Sequence, residues 1–198
     1  PDGFMSVADT IRFIEDFAEF SGAEVRTGVE VTRLAGSDDG FSVHTSNGVI
    51  AATTVVVASG ACNRASIPAF SQSLPTGVSS VHPLEYRNPD QLQQGGVLVV
   101  GASATGLQLA DEIHRSGRPV TLCIGEHVRL PRLYRGRDIQ WWMEKSGVLD
   151  ERYDEMDDLV RARNIPSPQL VGTPERITLD LNSLTDKGIQ LRGKLAGI

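Results

Sequence analysis

Two hydrophobic periods alternate along the chain and divide it. Val7, Ile11, Ile14 and Ala18 recur at helical spacing, and Phe13, Phe17 and Phe20 widen the apolar stripe. Ser6-Val7-Ala8-Asp9 is a capping-box-like entry and Gly22 a stop, so a helix is expected between them. The period then falls to two. Glu24–Thr27 and Val29–Leu34 alternate as strands do, and Asp38-Asp39-Gly40 makes a turn. Phe41–Thr45 follows, Asn47-Gly48 turns again, and Val49–Ala52 returns, which predicts a three-stranded meander. Thr54–Ala58 is a continuous apolar run and is expected as a buried strand of a parallel sheet.

Between Cys62 and Gln94 the pattern dissolves into Pro, Ser and Asn, with prolines at 68, 75, 83 and 89. This reads as a crossing between two domains. Periodicity resumes as a strand over Val97–Val100, a helix over Ala104–Arg115 and a strand over Val120–Ile124. Beyond it, Asp138–Lys145 and Tyr153–Arg163 are expected to be helical, and Ile165–Arg176 irregular. A strand-like alternation of Ile189, Leu191, Leu195 and Ile198 ends the chain. The expected fold class is α/β: residues 1–70 as a helix, meander and buried strand, 71–94 as a linker, and 95–198 as a Rossmann-like domain. The first helix reads as the second half of a crossover, and the last strand has no following element. The chain is therefore expected to be a fragment of a larger protein.

The turn Gly101-Ala102-Ser103-Ala104-Thr105-Gly106 carries the most specific chemistry. Gly101 permits a tight bend, and Gly106 lets helix and strand approach closely. The helix start then offers N–H groups and partial positive charge to a diphosphate. Ser103 stands where the middle Gly of G-x-G-x-x-G is usual, and its hydroxyl and that of Thr105 are candidate phosphate contacts. The strand before, the amphipathic helix after and the second strand beyond supply the context this motif requires. A nucleophile elbow around Ser103 needs Gly at 105, where Thr stands.

The choice of dinucleotide falls after the second strand. Glu126 points to a ribose hydroxyl and NAD. Arg129, Arg132 and Arg135 point to a 2′-phosphate and NADP. The arginines outnumber the acid, so NADP is expected, with NAD as the alternative.

Composition narrows the rest. The formal charge of -6 asks for neither nucleic acid nor an anionic membrane. Cys62 and Cys123 form no C-x-x-C, which argues against a zinc site or redox dithiol and for a reducing, cytoplasmic setting. Cys123 reads as a small core residue, and a His before Pro, as at His82, as a turn residue. No metal site and no catalytic acid or base is named. No apolar run is long enough to span a membrane.

His82-Pro-Leu-Glu-Tyr86, the run Gly96-Val-Leu-Val-Val-Gly101, Arg129-Leu-Pro-Arg132 and Trp141-Trp142 together resemble the flavin-containing monooxygenase superfamily, a pyridine nucleotide-disulfide oxidoreductase-like group. The resemblance implies two cooperating Rossmann-like domains, one for FAD and one for NADPH, with molecular oxygen as co-substrate of an unnamed small molecule. A homodimer is compatible with it. It places part of a FAD domain in residues 1–70, with Val29 near the flavin adenine and Ala58-Ser59-Gly60 as a strand end. It makes residues 101–106, with Arg129 and Arg132, the NAD(P)H contacts. The opening FAD-phosphate glycine motif is absent, so this chain alone is expected to be inactive. Thr76 and Val78 stand where the family has Phe and Gly, and Gly125 where related oxygenases carry Arg. The alternatives are a flavoprotein reductase without oxygenation and a non-enzymatic dinucleotide-binding module.

Overall fold

The computed structural model describes residues 5–60, 63–165, 168–171 and 177–197. These fall into two compact units, Met5–Arg64 and Ala65–Ile198.

The Met5–Arg64 unit opens with α1, Val7–Ser21. Ser6 Oγ accepts from the Asp9 N–H at 3.1 Å, and the Ser6 N–H donates to Asp9 Oδ2 at 3.3 Å, which completes a capping box. Gly22 ends the helix in the left-handed region at φ 62°. Three antiparallel strands follow, β1 (Val31–Ser37), β2 (Gly40–Thr45) and β3 (Gly48–Ala52), in the order β1-β2-β3. The meander therefore forms as the alternation predicts, except that residues 24–27 stay outside it.

Thr54–Ala58 does not form the buried strand expected of it. Val56 and Val57 are 84% and 74% exposed, and the segment pairs with nothing described. A strand exists only through its ladder partners. The sole sheet described in this unit is the antiparallel meander, which gives a parallel strand no neighbour. No described residue of the unit is buried, and the apolar stripe of α1 is open, Phe17 at 64% and Phe20 at 90% exposure.

The Ala65–Ile198 unit holds the core. β4 (Val97–Val100) leads through a turn into α2 (Ala104–Arg115) and then β5 (Val120–Cys123). Beyond β5 come the two-residue strands β6 (Val128–Arg129), β7 (Leu133–Tyr134) and β8 (Arg137–Asp138), then helices α3 (Ile139–Lys145) and α4 (Leu159–Asn164). β9 (Pro168–Gln169), α5 (Leu181–Asp186) and β10 (Gln190–Arg192) finish the unit. β4, β5 and β10 form a parallel sheet in the order β10-β5-β4, with Val100 opposite Cys123 and Cys123 opposite Arg192. Leu107, Ala110 and Ile113 of α2 meet Val120 and Leu122 of β5, Leu184 of α5 and Ile189 in one buried cluster. Cys123 is buried on β5, as a small core residue should be.

The stretch expected as a linker, 71–94, belongs to this unit and packs onto its core. Tyr86 and Leu92 pack against the buried cluster. The Arg118 guanidinium donates to the Leu92 carbonyl at 2.9 Å and also to that of Gln93. His82 Nδ1 accepts from the Leu84 N–H at 3.2 Å, consistent with a turn residue.

Two local departures from expectation have clear causes. Tyr153–Arg163 is not one helix. Asp158 accepts from the Arg161 N–H at 2.8 Å and starts α4 afresh, while residues 153–155 form only a 3₁₀ turn. Residues 133–138 form a hairpin, β7 against β8, that alternation does not announce. It closes through Arg135 at φ 48° and Gly136 at φ 73°. Trp142 Nε1 donates to the Tyr134 carbonyl at 2.8 Å, and exposed Trp141 packs edge-on against Trp142. Cys62, Ile198 and parts of the stretch read as irregular, 166–167 and 172–176, lie outside the described residues.

Candidate functional site

The two glycines of the Gly101–Gly106 turn are required for different reasons. Gly101 sits at φ 104°, and a Cβ there would meet nothing within 4 Å, so its constraint is backbone conformation. Gly106 is buried under the turn, and a Cβ there would strike the Gly101 carbonyl. Its constraint is space. The Gly101 N–H donates to the Cys123 carbonyl at 3.0 Å and ties the turn to the end of β5.

The remaining residues of the turn divide by exposure. Ala102 is buried in the core, and half-buried Ala104 packs against it. Ser103 and Thr105 are exposed. Ser103 is the N-cap of α2, yet its side chain caps no N–H of the first turn. Those N–H groups lie beyond the reach of intrahelical carbonyls and stand at the positive end of the helix. A close-packed glycine cradle, two exposed hydroxyls and an uncapped helix start suit a diphosphate.

Arg129 and Arg132 follow β5 along the chain, but each holds a carboxylate. Arg129 Nη2 is hydrogen-bonded to Asp180 Oδ2, and Arg132 Nε lies 2.7 Å from Asp138 Oδ2. Asp180 is only 6% exposed and caps α5, accepting from the Ser183 N–H at 2.9 Å. Burial opposes its ionisation. The Ser183 N–H, the Arg129 guanidinium and the Ser183 hydroxyl outweigh burial and hold its carboxyl below the usual range. The Arg132 N–H also donates to Thr178 Oγ1 at 3.3 Å. These partners lie far along the chain from the arginines. The capping pattern Asp180-Leu-Asn-Ser183 is the one sequence signal that marks Asp180 as structured.

The residues assigned by resemblance to FAD all belong to the Met5–Arg64 unit. Val29 is half-buried just ahead of β1, while Ala58, Ser59 and Gly60 are exposed on the unpaired segment. Ser59 carbonyl accepts from Asn63 Nδ2 at 3.2 Å.

A three-stranded parallel sheet, a glycine turn after its first strand and a helix starting over that turn define a Rossmann-type α/β fold. The chain belongs to the pyridine nucleotide-disulphide oxidoreductase family, whose pattern it matches over residues 4–140. It is 38% identical over 151 residues to an uncharacterized CzcO-like oxidoreductase of Geobacillus kaustophilus, an alignment covering 76% of this chain and 43% of that protein. It is 27% identical over 147 residues to the uncharacterized oxidoreductase CzcO of Bacillus subtilis, covering 74% and 43% respectively. The chain thus spans less than half the length of these curated relatives. The fold also resembles that of a flavin-containing monooxygenase from Stenotrophomonas maltophilia, with TM-score 0.56 and 18% identity over 81% of this chain and 48% of that one. No described helix is long and apolar enough to cross a membrane, and the described residues hold no metal-binding cluster.

Proposed function

We propose that this chain supplies the pyridine-nucleotide part of an FAD- and NAD(P)H-dependent oxidoreductase of the flavin monooxygenase kind, acting in the cytoplasm on a small molecule and oxygen. The observation that carries the reading is the Gly101–Gly106 cradle, which brings the start of α2 against the turn and leaves the hydroxyls of Ser103 and Thr105 exposed. The backbone N–H groups of residues 103–106 would hold the pyrophosphate. A nicotinamide bound there would supply hydride to a flavin, and the chain's part would be to grip and orient the dinucleotide. Val29 and Ala58–Gly60 belong to the flavin side of this reading through family likeness.

Calorimetric titration of the 198-residue chain with NADH and with NADPH tests it. Binding of either below millimolar concentration is expected, without turnover by this chain alone. Absence of binding by both at millimolar concentration would overturn the reading. In a protein carrying this chain with its flavin domain, nucleotide oxidation without oxygen entering any product would favour a reductase over a monooxygenase.

A further inference from the structure

The β7–β8 hairpin keeps an arginine where its backbone favours glycine or asparagine. The turn residues Arg135 and Gly136 both lie at positive φ, and Arg135 is the one non-glycine residue among those described to do so. Each guanidinium of the hairpin lies over a ring, Arg135 over Tyr134 and Arg137 over Trp141, both 5.3 Å from the ring centre. A ring face steadies a guanidinium without using its N–H donors. Both side chains are exposed, and neither meets a carboxylate among the described residues. The base of the hairpin is held by the Trp142 bond to the Tyr134 carbonyl and by the Ile139 N–H, which donates to the Arg132 carbonyl at 2.9 Å. The tip is therefore a fixed pair of guanidiniums beside exposed Tyr134 and Trp141. Arg, Tyr and Trp are the residues that carry most of the binding energy where proteins meet.

A complementary surface lies at the other end of α3. Between 150 and 158 the chain carries six carboxylates and one arginine. Arg152 is taken by Asp154 at 2.8 Å, and Asp158 caps α4. Asp150 and Glu151 form no ion pair among the described residues. With Gly147, Val148 and Glu155 they line an open recess of about 320 Å³ just past the end of α3. Val148, Leu149 and Tyr153 are each more than half exposed, so apolar side chains accompany the negative charge. No ion pair joins this recess to the hairpin of the same chain, among the described residues, and the seven residues of α3, about 10 Å of helix, stand between the two.

We infer that this face pairs two copies of the chain, the tip at 135–137 of each entering the acidic recess at 146–155 of the other. A two-fold axis crossing α3 near its middle exchanges the ends of the helix, so the hairpin of one copy meets the recess of its partner, and the contact is made twice. The exposed positions of α3, Gln140, Trp141, Glu144 and Lys145, are spaced to share one side of the helix between the two contacts. Opposite charge fixes the register, and the aromatic and aliphatic side chains beside it supply apolar burial.

Sedimentation velocity of the 198-residue chain over a concentration series, at low and at high salt, tests this. A dimer is expected, with a Kd that rises with salt. Arg135→Asp with Arg137→Glu reverses the tip, and Asp-Gly is itself a favoured pair at such a turn, so the hairpin should persist. Asp150→Lys with Glu151→Lys reverses the recess at exposed positions. Circular dichroism verifies both folds. Each reversed chain should dimerise at least about tenfold more weakly, because like charges then face each other. An equimolar mixture of the two should dimerise again, since both contacts of the mixed pair once more join opposite charges. A dimer that survives reversal of the tip overturns the inference, as does a mixture that stays monomeric. A monomeric parent chain overturns it too, and loss of NADPH affinity on reversing the tip would then assign the two arginines to the nucleotide.

Discussion

A Cβ built on Gly106 would lie 1.9 Å from the carbonyl oxygen of Gly101 and 2.9 Å from its carbonyl carbon. Both obstacles are backbone, so no side-chain rotation relieves them. Gly106→Ala must push α2 away from β4. It is expected to destabilise the chain by about 3 kcal/mol or more and to abolish nucleotide binding. Gly125 has nothing within 4 Å of its own Cβ position, and Gly125→Ala should change stability by no more than about 0.5 kcal/mol. Urea unfolding of the two variants makes the comparison.

Asp180 predicts a pH response. Its folded pKa lies below the unfolded value of about 3.9, so its ionised form stabilises the fold at neutral pH. That contribution is complete above the unfolded value and is lost as pH falls through the lower folded one. Asp180→Asn keeps a capping side chain but strands Arg129. It should cost about 1–3 kcal/mol at pH 7 and progressively less as pH falls below the unfolded value of about 3.9. Denaturation series at several pH values would show the two curves converging in acid.

Asp111 is 4% exposed on α2 and is gripped by Lys187 Nζ at 2.5 Å and Arg115 Nε at 3.1 Å. Lys187 caps the end of α5, so its bond joins two helices, whereas Arg115 sits one turn along the same helix. Lys187→Ala should therefore cost about 2 kcal/mol, and Arg115→Ala, whose side chain is 69% exposed, less than about 1 kcal/mol. Thermal unfolding of both separates the roles.

Tyr86 packs its ring against the core and sets its hydroxyl beside the Glu112 carboxylate. Burial first, and then the neighbouring Glu112 carboxylate, push its phenol pKa up. Tyr86→Phe removes the hydroxyl beside Glu112 and keeps the ring. It should change stability by no more than about 1 kcal/mol, whereas Tyr86→Ala should lower it by about 3 kcal/mol. A calorimetric melt of each variant reads the sign.

The elements legible in the sequence are those whose determinants are local. The Ser6–Asp9 box, the Gly22 stop and the β4–α2–β5 unit each rest on residues a few positions apart, and each forms as expected. Thr54–Ala58 shows the limit of that reasoning, because a strand depends on partners that its own composition does not name. The β7–β8 hairpin is not legible in the sequence because its turn places Arg135, ahead of Gly136, at positive φ. At the candidate site the glycines were readable and the state of the arginines was not. Arg129 and Asp180 meet across 51 positions of chain, and only the folded structure reveals that the cation is already engaged.

The sheet order has a kinetic consequence. β5 and β10 are hydrogen-bonded neighbours, yet residues 124–189 run between them. Closing a loop of that length is entropically dear, while β4 and β5 are joined across α2 alone. The β4–α2–β5 unit can assemble early on near-neighbour contacts. β10 must wait until the long excursion has condensed and the Arg129–Asp180 bond has set α5 in line. Until then β5 presents an open edge, and the refolding chain is most prone to pair with another copy of itself during that interval.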